Sequence, residues 1–140
     1  MLTIKRYRVP VAELQKHVDP LSGWLWGCDP ITSDEIKAAA ASQQFETDPW
    51  DKAKDQLQGP DGRDFHVRRI AHFVANGLPT DEHTVQLNLD KQPNGREIGV
   101  PNGNHRIAAA IVRRDTEIAV TVYFFDVDDI ARLLPGAVEL

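Results

Sequence analysis

The sequence predicts an α+β fold, in which a small mixed β-sheet is packed with helices. Two patterns support this prediction. Apolar Val85, Leu87 and Leu89 alternate with polar residues, which is typical of a half-buried strand. Apolar residues from Val67 to Val74 recur at helical spacing instead. Strands and helices are interleaved along the chain, so we expect a mixed sheet and not two separated classes of element.

The first half of the chain is predicted to open with a strand and to continue mainly in helices. Thr32 or Ser33 can cap one helix, Asp48 can cap the next, and Gly59 and Gly77 are typical helix ends. The predicted elements are a strand at 2–11, a short turn or half-helix at 12–21, an irregular apolar loop at 22–30, and helices at 32–45, 47–59 and 61–79.

The second half carries most of the predicted sheet. Asn94-Gly95 is a strong hairpin signal, and the largely apolar strand at 117–125 is expected to be central. Asp126 can cap a last short helix that Pro135 ends. The predicted elements are strands at 84–90, 96–102 and 117–125, a turn at 91–95, and helices at 104–114 and 126–136.

Composition limits the class of protein. The 140 residues suit one domain with one core, and we find no internal boundary in the sequence. The net charge of −5 disfavours a strongly electrostatic grip on DNA. Cys28 is the single cysteine and no apolar run approaches the length of a membrane span, so we expect a cytoplasmic protein without membrane contact.

The stretch "VPNGNHRIAAAI", residues 100–111, is the strongest functional candidate. Gly103 allows a sharp turn, and the following amides would form the first turn of a helix, where anions bind. Arg106 can clamp phosphate oxygens, and His105 can donate a hydrogen bond or move a proton. The alternative is that Asn104 simply caps the helix and that its polar neighbours are solvated; composition alone favours this alternative.

Two other groups of residues are candidates for function. A basic stretch can face a phosphate or a nucleic-acid backbone, although a solvated helix face is the favoured interpretation; it comprises Arg63, His66, Arg68, Arg69 and His72. Three tryptophans can stack on a base or a partner, and we expect at least one of the first two to be buried; they are Trp24, Trp26 and Trp50.

The segment "NGNHRIAAAIVRRDTEIAVTVYF" resembles the core of the ParB/sulfiredoxin superfamily, in which a glycine turn with His-Arg or Arg-Arg leads into an alanine-rich helix and a strand. The similarity extends over residues 4–20 and 66–125. It implies a single ParB/sulfiredoxin-like domain over 1–140, with a helical insertion at about 21–63. It also implies a nucleotide or phosphate group held by Gly103, Asn104, His105 and Arg106.

The resemblance further implies a loop near the nucleotide phosphates at His17 and Asp19, and a ligand such as ATP or another nucleotide, with Mg²⁺. This chain departs from the family pattern in two places. Asn104 stands where sulfiredoxins have a reactive cysteine, which argues against their chemistry. Asn102 replaces an aspartate, which removes a carboxylate that could bind metal.

Three functions remain open at this point. The first is nucleotide or phosphate binding with hydrolysis or phosphoryl transfer, in which Arg106 neutralises charge and His105 orients or protonates the ligand. The second is a ParB-like nuclease or DNA-associated accessory protein. The third is a non-catalytic module that binds a protein partner through the insertion. Fold resemblance alone does not choose among them.

Overall fold

A computed structural model describes residues 1–47, 62–78 and 85–140 of the chain. Contacts divide the chain into two compact units. Unit 1 comprises Met1–Asp19 and Pro79–Leu140, and unit 2 comprises Pro20–Leu78. The expected single domain with an insertion at 21–63 stays a prediction.

Unit 1 contains a five-stranded mixed sheet, and the predicted α+β class is confirmed. Its strands are β1 (Thr3–Pro10), β2 (Gln86–Leu89), β3 (Gly99–Asn102), β4 (Glu117–Phe124) and β5 (Val138–Glu139). The strand order is β3-β2-β4-β1-β5, so β4 is central, as its apolar sequence predicts. β5 was not predicted, because its two exposed residues carry no alternating pattern.

Strand pairing accounts for the mixed character of the sheet. β4 is antiparallel to β1 and parallel to β2, whereas β2 is antiparallel to β3. The turn that joins β2 to β3 has Gly95 at φ 84°, and the Gly95 N–H donates to the Gln92 carbonyl at 2.9 Å. The hairpin predicted from Asn94-Gly95 is therefore confirmed.

The two faces of the sheet differ in burial. Val85, Leu87 and Leu89 are all nearly inaccessible, and so are Val120 and Val122 at the same level of β4. The alternate residues of β2 and β4 are only partly buried. Period-two alternation therefore creates one apolar face for the core and one more polar face.

Three helices of unit 1 follow strands of the sheet. They are α1 (Val11–Gln15), α4 (Asn104–Arg113) and α5 (Asp128–Leu133). The buried face of α4 includes Ile107 and three alanines, whose small side chains allow close packing. The Asp128 N–H donates to the Asp126 carboxylate at 2.9 Å, although the cap position of this helix is Val127 and not the predicted Asp126.

The described residues of unit 2, 20–47 and 62–78, contain two short 3-10 helices and two longer helices, which we number α2 (Ser33–Ala41) and α3 (Arg63–Asn76). Thr32 and Glu35 form a complete capping box at the start of α2. Trp26 is buried, as expected for at least one of the first two tryptophans, whereas Trp24 is exposed.

The basic stretch of α3 is a solvated face only in part, and this expectation was wrong for two of its five residues. His66 is fully buried and stacks on Trp26, with ring centroids 4.1 Å apart. Arg63 donates two hydrogen bonds to the Glu35 carboxylate, at 2.7 and 2.8 Å. Ring stacking and ion pairing thus draw two members of the stretch into the packing of unit 2, which residue type alone did not indicate.

Two sequence predictions lie outside the described residues. They are the helix at 47–59 and the environment of Trp50, so the helical content of the insertion is known only in part. Within the described ranges, no helix has the length and apolar character needed to cross a membrane.

Candidate functional site

Gly103 forms the junction between β3 and α4. Its φ of 101° and ψ of 15° place it in the left-handed region, where glycine carries no Cβ penalty. The Ile107 N–H donates to the Gly103 carbonyl at 2.9 Å, which closes the first turn of the helix. The predicted order of strand, glycine turn and helix is therefore confirmed.

Asn104 is not the helix cap, so the cap interpretation of this residue was wrong. It is the first helical residue, and its Nδ2 donates to the Val100 carbonyl at 3.0 Å. The left-handed turn at Gly103 shifts the cap position back by one residue, to a residue without a side chain. No described side chain therefore caps the start of α4.

The first turn of α4 also differs from the first turns of the other described α-helices in charge. Each of those four helices has at least one acidic residue there, and its negative charge interacts favourably with the positive end of the helix dipole. These acidic residues are Glu13 in α1, Asp34 and Glu35 in α2, Asp64 in α3, and Asp128 and Asp129 in α5. The first turn of α4 has no acidic residue and carries Arg106 instead.

His105 and Arg106 occupy different environments in this turn. His105 is only 8% exposed and belongs to the buried face of α4. Arg106 is partly buried, and both residues interact with other groups of the protein. Burial suits His105 to orienting neighbouring groups, and the Nε atom of the Arg106 guanidinium is also buried.

His17 and Asp19 follow α1 in unit 1. The His17 carbonyl accepts a long hydrogen bond, 3.5 Å, from an Nη atom of Arg96 in the segment between β2 and β3. Asp19 is exposed. This hydrogen bond links the loop to Arg96 and not to the turn at Gly103, although α1 itself packs against α4.

A row of side-chain amides that was not predicted from the sequence lies beside the turn. Asn102 Nδ2 donates to Gln86 Oε1 at 3.5 Å, and Gln86 Nε2 donates to Asn88 Oδ1 at 3.1 Å. The alternation in "TVQLNLD" indicates that Gln86 and Asn88 share a face. Their neighbour Asn102 follows only from the register of β2 with β3.

The described residues contain no group of three or more His, Cys, Asp or Glu side chains that could hold a metal ion. Protein sites for Mg²⁺ commonly supply one or two carboxylates and leave the remaining ligands to phosphate and water. Asn102, beside the turn, provides an amide in place of a carboxylate. The side chains of the turn itself therefore suit an anion better than a metal ion.

Comparisons of the chain with models of protein families, with curated proteins and with solved structures found no match.

Proposed function

We propose that unit 1 binds the phosphate group of a nucleotide, or of another phosphate-bearing ligand, at residues Gly103–Arg106. The observation that carries this proposal is the charge pattern of the first turns. α4 begins on a bare glycine, lacks an acidic residue in its first turn and holds Arg106 there. The amides at the positive end of a helix attract an anion, and an arginine in the same turn adds positive charge to that attraction.

Each residue of the turn has a role in this proposal. The first amides of a helix have no acceptor within the helix, so they can donate to phosphate oxygens. Gly103 permits close approach of the ligand because it has no Cβ. Arg106 supplies a bidentate charged donor, and Asn104 holds the turn against Val100. His105 orients the turn from its buried position.

The same proposal extends to a reaction, to the identity of the ligand and to the family of the chain. A turn that neutralises phosphate charge also favours the transition state of hydrolysis or phosphoryl transfer, with His105 and Arg106 as the catalytic candidates. ATP or another nucleotide, with its own Mg²⁺, would then be the ligand. The ParB/sulfiredoxin-like assignment belongs to this proposal, as does a cytoplasmic location, which agrees with a chain that has one cysteine.

The proposal is tested by titration calorimetry with inorganic phosphate and a panel of nucleotides. We expect Arg106→Ala to weaken binding by about 1.5–3 kcal/mol, because it removes hydrogen bonds to a charged group. Arg106→Lys should lose less, since it keeps the charge but not the bidentate geometry. Bound ligand should also raise the melting temperature of the native protein.

Arg113→Ala is the matched control, because Arg113 lies at the opposite end of the same helix in a 3.7 Å surface pair with Asp115. It should leave ligand affinity unchanged. Equal affinity of a folded Arg106→Ala protein and the native protein would refute the proposal. Absence of binding by the native protein to every member of the panel would also refute it.

A second function, protein interaction through unit 2, is favoured by one specific observation. Trp24 and Leu25 are 61% and 44% exposed, on a short 3-10 helix between Gly23 and Gly27. Both glycines have positive φ, so the backbone turns sharply on each side of the pair. Adjacent exposed apolar side chains are typical of contact surfaces.

The nuclease alternative has no comparable support, and the net charge of −5 disfavours it.

A further inference from the structure

A cleft of about 400 Å³ opens on the more polar face of the sheet in unit 1. This volume lies within the range of small-molecule sites. Its lining includes three polar side chains from β2 and its continuation, Gln86, Asn88 and Asp90, and two aromatic rings from β4 and its end, Tyr123 and Phe125. None of these residues belongs to the turn at Gly103.

Strand register explains why amides and rings meet in the cleft. Asn88 pairs with Tyr123 across the parallel strands β2 and β4, so their side chains lie on the same face. The next pair, Leu89 and Phe124, points into the core. Asp90 and Phe125, one residue further along, continue the row of Asn88 and Tyr123.

The cleft offers stacking surface that the core does not use. Phe125 is 61% exposed and Leu2, which also lines the cleft, is 46% exposed. Tyr123 is partly buried beside them. Aromatic side chains with accessible rings bind flat ligands by stacking, and an aliphatic neighbour adds apolar contact.

The polar side of the cleft provides both donors and acceptors. Asn88 Oδ1 already accepts from Gln86 at 3.1 Å, which fixes the amide and leaves its Nδ2 as a donor. The Asp90 carboxylate makes no hydrogen bond within the described part of the chain and offers two acceptor oxygens. Lys91 balances its charge, so the lining as a whole favours a neutral ligand.

We infer that this cleft binds a purine or pyrimidine base. A nucleobase has a flat face for Tyr123 and Phe125, and its edge carries donors and acceptors that match Asp90 and Asn88. The absence of a cation cluster among the lining residues argues against phosphate as the group recognised here. The inference stands apart from the proposed phosphate site, because it uses none of the same residues.

The test is titration of ¹⁵N-labelled protein with free nucleosides, up to roughly 10 mM since exposed small sites bind weakly, while side-chain amide signals are followed by NMR. Nucleosides should shift the Asn88 signal. Phe125→Ala should weaken binding by about fivefold or more, because it removes a stacking surface. Asn88→Ala should weaken binding as well. Nucleoside monophosphates and short oligonucleotides identify which form of the base binds best.

Trp24→Ala is the matched control, since Trp24 is also 61% exposed but lies in unit 2. This variant and Arg106→Ala should both retain nucleoside binding, which separates the inference from the phosphate proposal. Three outcomes would overturn it: no amide shift with any nucleoside, unchanged affinity in Phe125→Ala, or a shift produced by a methyl glycoside and not by nucleosides.

Discussion

Asn104 illustrates how one backbone angle assigns a role to a side chain. An asparagine just after a glycine turn is a good cap by composition, but Gly103 at φ 101° takes the cap position. Asn104 is left inside the first turn, where it donates to the Val100 carbonyl instead of accepting from an amide. Its amide therefore ties the end of β3 to the start of α4.

This role predicts that Asn104→Asp and Asn104→Ala both destabilise the protein. Either change removes the donor to Val100, at a cost of about 1 kcal/mol, and a carboxylate also repels the carbonyl. A capping residue would behave differently, because aspartate caps as well as asparagine does. Urea unfolding of both variants distinguishes the two roles, and native-like stability of Asn104→Asp would restore the capping interpretation.

At the scale of elements, the alternation of buried and exposed residues along a strand determines which side chains stabilise the sheet. Leu87 in β2 is fully buried, whereas Ile4 in β1 is 54% exposed. The two side chains contain the same number of carbon atoms, so their truncation removes equal hydrocarbon from different environments. Burial, and not residue type, then determines the loss of stability.

We expect Leu87→Ala to lower the free energy of unfolding by about 2–5 kcal/mol, because it leaves a cavity in the core. Ile4→Ala should cost under about 1 kcal/mol, since most of its surface already faces water. Thermal and urea unfolding followed by circular dichroism measure both values. Similar losses in the two variants would contradict the assignment of the faces.

At the scale of the whole molecule, the chain forms two compact units with different stabilising interactions. In unit 2, the paired Arg63 guanidinium and the hydrogen bond from the Thr32 amide lower the pKa of Glu35 to about 2, from an ordinary 4.5. The same pair raises the pKa of Arg63. Glu35 thereby joins α2 to α3 as well as capping α2.

The lowered pKa predicts a specific loss of stability in acid. The folded protein binds this proton more weakly than the unfolded chain, so the contribution is complete above pH 4.5 and disappears as the pH falls towards 2. Glu35→Gln should cost about 1 kcal/mol at neutral pH, because the carboxylate is 39% exposed and solvent screens the pair. The difference from the native protein should shrink over the same pH interval.

Tryptophan fluorescence measures this effect, because all three tryptophans lie between residues 20 and 78. Asp34→Asn removes another carboxylate from the same helical turn, outside the Arg63 pair, and should keep the acid-dependent loss. A Glu35→Gln protein whose stability difference is constant from pH 4.5 down to 2 would rule out the role given to Glu35.

The sequence by itself determined the elements that depend on neighbours along the chain. Alternation in 84–90 and 117–125, the Asn94-Gly95 turn and the helix after Gly103 are local signals, and the structure has a strand, turn or helix at each. Local signals also indicated the glycine turn as a candidate site, because helix amides and Arg106 are adjacent in sequence. The anion itself stays a prediction.

Only the tertiary structure decided the features that join distant residues. The stack of His66 on Trp26, the pairing of Arg63 with Glu35 and the meeting of Asn88 with Tyr123 each connect residues at least 28 positions apart. Sequence periodicity gives the face of an element but not the partner across it, since strand order and register follow from the packing of the whole core. For that reason the turn could be predicted and the cleft could not.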